Sequence, residues 1–126
     1  MQTLQIVESA YRATLEEQDD VVLWMTHAMR SAGAPLSVLL RANAVNYAVA
    51  AQECSGLQIG AWVQAQAPRL ASVVRGLLAK GVRVLAIEED LVARGIPRSA
   101  LVEGIEIVPA ERLAALLDQF ARIWHW

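Results

Sequence analysis

The residues able to do chemistry in this chain are few and lie far apart. Cys54 is the single thiol and therefore the only candidate for a sulfur-based nucleophile or persulfide carrier. Its neighbour Glu53 opposes the thiolate, and a lone cysteine more often serves as a small packing residue. The acids Glu88, Glu89 and Asp90 follow directly on an apolar run. Paired carboxylates perform general acid/base work, but consecutive helical positions point in different directions and no histidine stands beside these three. Glu8 and Ser9, and then Arg41 and Asn43, close two earlier apolar runs in the same way. His27 and His125 are too few for a closed zinc site, and one cysteine forms no internal disulfide, so the sequence implies neither a structural metal nor a cofactor.

These positions acquire meaning from the elements that carry them. Leu4-Gln5-Ile6-Val7-Glu8 reads as a strand, and the acids from Glu16 to Asp20 suit a helix start. Val21, Val22, Met25, Ala28, Met29 and Ala32 fall on one helical face, which Gly33 and Pro35 end. Leu36–Leu40 reads as a second strand, with Asn43 as the cap of a helix carrying Val45, Ala48, Val49 and Gln52. Residues 54–67 have no clear period. Leu70, Val73, Val74, Leu77 and Leu78 form a helix that Lys80-Gly81 ends, ahead of a central strand over 82–87. A helical turn over 88–94, a strand over 105–108, a helix through Leu113, Leu116, Leu117 and Phe120, and an aromatic edge strand or tail complete the chain.

Strands alternating with helices over short connections give a three-layer α/β/α fold, with a mostly parallel sheet of about five strands. In such a sheet ligands gather beyond the carboxyl ends of the strands. That rim consists of Glu8, Ser9, Arg41, Asn43, Ile87, Glu88, Glu89 and Asp90, the candidate ligand- or partner-binding residues. Each also has a structural use: Asn43 as a cap, the acids as first-turn residues favoured by the helix dipole, Arg41 as a solvated strand end. No glycine-rich loop follows any strand, which removes the main support for nucleotide binding.

Composition narrows the classes further. The length of 126 residues suits one domain, 1–126. Apolar residues at 56% and charged residues at 19% exceed and undershoot the usual shares, and the surplus is expected at a subunit interface. A net charge of -2 with scattered cations argues against nucleic acid. No unbroken apolar run is longer than Val21–Met25, which falls far short of a bilayer span, and the N-terminus lacks the marks of a signal peptide, so the sequence reads as cytoplasmic with no membrane partner. Trp24, Trp62, Trp124 and Trp126 are expected to fill the core or an interface, with His125 packed or at an edge.

The stretch from Lys80 through Val82-Arg83-Val84-Leu85-Ala86-Ile87 to Ala93-Arg94-Gly95-Ile96 resembles the helix end, strand and turn of the DsrE/DsrF/DsrH-like sulfur-relay family, which includes the TusB, TusC and TusD subunits. Leu39-Leu40-Arg41-Ala42-Asn43-Ala44-Val45 and Leu101-Val102-Glu103-Gly104-Ile105-Glu106-Ile107 resemble two further motifs of that family, and the aromatic C-terminus its closing strand. The likeness spans nearly the whole chain, through short and tolerant motifs. It implies a DsrE-like fold and, in members that carry sulfur, a cysteine at the end of the strand after the Gly-Val turn. That position is Ile87 here, or Ala86 with a slip of one residue.

The resemblance therefore implies a non-catalytic subunit or binding protein in sulfur trafficking, closer to TusB/DsrH-type subunits. As partners it implies a homo-oligomer, trimer or hexamer, or related DsrE-like subunits, and a TusA-like sulfur carrier. Two alternatives stand beside it: a sulfurtransferase whose catalytic residue is Cys54, and a small-molecule enzyme using the strand-end acids.

Overall fold

The computed structural model describes residues 2–11, 20–52 and 55–126. Cys54 and the acids from Glu16 to Asp19 lie outside the described residues. Five parallel strands form the central sheet: β1 (Thr3–Val7), β2 (Leu36–Leu40), β5 (Arg83–Ile87), β6 (Glu106–Val108) and β7 (Arg122–His125), in the order β6-β5-β2-β1-β7. The α/β fold expected from the sequence is thus observed, with β2 in the middle and β5 one place out. Every residue of β1 and β2 is buried, as a continuous apolar run covered on both faces requires.

Chain direction explains where the helices lie. The crossovers from β1 to β2, β2 to β5 and β5 to β6 step the same way across the sheet, whereas β6 returns past all of them to β7. Parallel crossovers are right-handed, so the first three put their helices on one face and the last puts its helix on the other. Accordingly Val22 and Leu23 of α1 (Val21–Ser31), Leu70, Val74 and Leu77 of α2 (Leu70–Ala79) and Leu91 of α3 (Glu88–Ala93) share one core with Val7, Val38 and Val84. Leu116 of the short α4 (Leu113–Leu117) packs on Leu4, Ile6, Leu39, Leu85 and Ile87 from the opposite side.

Local chemistry sets the boundaries. Asp20 caps α1 by accepting from the backbone N–H groups of Val22 (2.9 Å) and Leu23 (3.1 Å). After β2 the expected α-helix capped by Asn43 is instead a 3₁₀ helix over Ala42–Ala48, begun by Arg41. Ala42 takes a left-handed φ of 46°, so the turn starts before Asn43 can cap it. The unplaced segment 54–67 contains a β-hairpin, β3 (Gln58–Ile59) and β4 (Trp62–Val63), turned at Gly60 with φ 59°. Glycine in the first central position suits a two-residue hairpin turn.

Candidate functional site

The rim expected to hold the site forms where the carboxyl ends of β1, β2, β5 and β7 meet. Glu8 leaves β1 beside Arg41, which leaves β2, and His125 at the end of β7 reaches the same carboxylate. Arg41 Nη1 lies 3.4 Å and His125 Nε2 3.3 Å from Glu8 Oε1. Because Ile6 pairs with Leu39 on one side and His125 on the other, the strand register aims these three side chains along one face. The sequence placed Glu8 and Arg41 here and read His125 as packed or at an edge; it stands on the edge strand β7, and its pairing with Ile6 brings it to Glu8. Arg41 Nε is buried without a hydrogen-bond partner.

The three acids after β5 do not converge. Glu88 Oε1 accepts from Arg98 Nη2 at 2.5 Å, Glu89 Oε2 accepts from the Ala110 N–H at 2.8 Å, and Asp90 Oδ2 accepts from the Ala42 N–H at 2.7 Å. Each oxygen thus serves a different neighbour, as successive helical positions dictate. Asp90 steadies the left-handed Ala42 and so brings the α3 and β2 ends together. Asn43 joins this cluster through Oδ1, which accepts from Arg94 Nε (3.2 Å) and Nη2 (2.9 Å). Ser9 is half-buried beside Glu8, and the Glu8 carbonyl accepts from the Ala44 N–H at 3.1 Å.

Topology singles out one crevice on this rim. The connection leaving β5 runs to the α3 face and that leaving β6 runs to the α4 face, so the carboxyl ends of β5 and β6 form the switch point at which open α/β sheets hold ligands. Here the Glu89–Ala110 hydrogen bond bridges that crevice. Ile87, at the strand end beside it, is 3% exposed and packed in the α4-side core. No thiol, hydroxyl or imidazole occupies the end of β5.

A second polar cluster, not read from the sequence, lies behind the rim. Tyr47, fully buried on the 3₁₀ helix, donates from its hydroxyl to Asp20 Oδ2 at 2.7 Å and accepts from the Tyr11 N–H at 2.5 Å. Burial, and then the hydrogen bond to Asp20, push the Tyr47 hydroxyl far above the ordinary tyrosine range. It is a structural tie between two buried side chains. Among the described residues no group of three or more His, Cys, Asp or Glu side chains could hold a metal ion, and no helix is long and apolar enough to cross a membrane.

Three of the four tryptophans lie outside the core, the first of the two places expected for them. Trp24 is 63% exposed, Trp62 48% and Trp126 42%, so they do not fill the core. Trp126 instead closes the sheet edge, donating from its indole to the buried Gln5 Oε1 at 3.0 Å.

No family model and no curated protein matches the chain. Solved structures do. The YchN protein of E. coli superposes with a TM-score of 0.73 at 20% identity, covering 100% of both chains. A conserved protein of unknown function from Bacteroides thetaiotaomicron gives 0.68 at 13% identity, over 98% of this chain and 94% of that one. A protein of unknown function from Methanobacterium thermoautotrophicum gives 0.65 at 16% identity, over 99% and 98%. At such identities the likeness is one of fold, and this chain adopts, end to end, the fold of the YchN protein.

Proposed function

We propose that this chain is a non-catalytic DsrE-like subunit that serves sulfur trafficking by binding other subunits rather than by carrying sulfur itself. The observation behind the reading is Ile87: the strand end where the resemblance implies a persulfide-bearing cysteine holds an aliphatic side chain, 3% exposed and packed in the core. The rim acids favour the same reading, since Glu8, Glu88, Glu89 and Asp90 are each engaged by a neighbour in the chain. The partners proposed are further copies in a trimer or hexamer, related DsrE-like subunits, and a TusA-like sulfur carrier.

Intact mass measurement after incubation with a polysulfide or thiosulfate donor tests the reading. The expected result is an unchanged mass. A gain of one sulfur that disappears in Cys54→Ser sinks the proposal in favour of a sulfurtransferase using Cys54.

A further inference from the structure

Neither core of the described residues includes any residue from Arg122 to Trp126. The other four strands each supply a core: β1 through Leu4, Ile6 and Val7, β2 through Val38, Leu39 and Leu40, β5 through Val84–Ile87, and β6 through Ile107 and Val108. An element opens only with the whole fold when buried apolar surface ties it to a core, and β7 lacks that tie. We propose that β7 is a strap that opens as a unit while the rest of the sheet stays folded, and that the Trp126 indole is its latch. The proposal is independent of the sulfur-trafficking reading.

Polar contacts hold the strap to β1. The Ala121 N–H donates to the Gln2 carbonyl at 3.1 Å, the Trp126 N–H donates to the Ile6 carbonyl at 2.9 Å, and the Trp126 carbonyl accepts from the Glu8 N–H at 3.2 Å. β7 is an edge strand, with Ile123 exposed and Trp124 half-buried, so water replaces these bonds as the strap leaves. Bonds exchanged in this way add little net stability. The contact of His125 with Glu8 adds little more, because the histidine side chain is 56% exposed.

The indole differs, since its acceptor is buried. Gln5 is wholly buried in β1, and its amide is paired at both ends. Its Nε2 donates to Thr26 Oγ1 at 2.5 Å, and that hydroxyl donates in turn to the Val22 carbonyl at 2.7 Å. Its Oε1 accepts from the Trp126 indole at 3.0 Å. One chain of hydrogen bonds therefore keys the strap to α1 through the interior of β1. Opening takes His125 away from Glu8 at the rim and makes β1 the edge of the sheet. By linkage, whatever grips Glu8 and His125 together also holds β7 shut.

Native-state hydrogen exchange of the full chain, read amide by amide by nuclear magnetic resonance, tests the proposal. The protected amides between Ala121 and Trp126 should share one protection factor, at least about ten-fold below those of the fully buried β2. Dilute urea should leave that shared value nearly unchanged, because the opening exposes little surface, while it lowers protection in β2. Trp126→Phe keeps a ring and removes the donor; it should lower the strap amides by the same factor, about five- to ten-fold. His125→Ala should change them by less than about two-fold. Protection that falls steadily toward Trp126 describes a fraying end and overturns the proposal, as does exchange of the strap only together with β2. No response to Trp126→Phe, or a larger response to His125→Ala, overturns the assignment of the latch.

Discussion

Asp20 shows how much one side chain can hold. Its Oδ1 caps α1 through two backbone N–H groups, while Oδ2 accepts the Tyr47 hydroxyl, and the residue is almost wholly buried. Asp20→Ala removes the cap and leaves the Tyr47 hydroxyl without its acceptor, so a loss of about 2–4 kcal/mol is expected in urea denaturation. Tyr47→Phe keeps the cap and should cost about 1 kcal/mol. The pair also fixes a pH dependence. The folded hydroxyl titrates above the unfolded value of 10.0, so its contribution is complete below that pH and is lost as pH rises beyond it. Tyr47→Phe should flatten the alkaline limb of a stability-against-pH curve; an unchanged limb would remove Tyr47 as its cause. This tie is not legible in the sequence, because Asp20 and Tyr47 are brought together by packing across 27 positions.

Between elements, the pairing of β5 with the short β6 is reinforced by Arg83 and Glu106. Arg83 Nε and Nη2 donate to the two Glu106 oxygens at 3.0 and 2.8 Å, a bidentate contact that holds the Glu106 carboxyl below its ordinary value of 4.5. Its contribution is present above that pH and lost as the carboxyl protonates on acidification. Both side chains are more than two-fifths exposed, so Glu106→Gln should cost under about 1 kcal/mol, and thermal unfolding in high salt should shrink the difference further. A larger loss would mean that β6 depends on the pair for its place in the sheet.

The elements best legible in the sequence were those whose apolar period and end signals agree. Leu36–Leu40 and the start of α2 at Leu70 fall where the pattern put them, and the carboxyl edge of the sheet brings Glu8 to Arg41 and Asp90 to Ala42. Asn43 misled because cap preference is weaker than the left-handed turn at Ala42, which Asp90 holds from another element. Segment 54–67 hid a hairpin because two-residue strands are too short to show alternation.

For the molecule as a whole, the two faces of the sheet are unequally covered. One carries α1, α2, α3 and the 3₁₀ helix, while the other carries the five-residue α4 with Leu113, Leu117 and Phe120 only partly buried. The hairpin meanwhile leaves Leu57, Ile59, Trp62 and Val63 exposed, in neither core. A chain that is 56% apolar and keeps such a cluster on its surface calls for a covering surface, and further copies of itself are the proposed one. Sedimentation velocity should therefore show a species larger than a monomer at micromolar concentration. Because Ile59 and Trp62 face each other across the hairpin, Ile59→Asp with Trp62→Asp puts two like charges on the proposed contact without touching the sheet core. The double variant should sediment as a monomer and keep its far-ultraviolet circular dichroism. A wild-type chain that is already monomeric would leave the hairpin unexplained as a self-contact, whereas a variant that still assembles would move the interface to the α4 face, where Phe120 and Leu117 would be the next residues to charge.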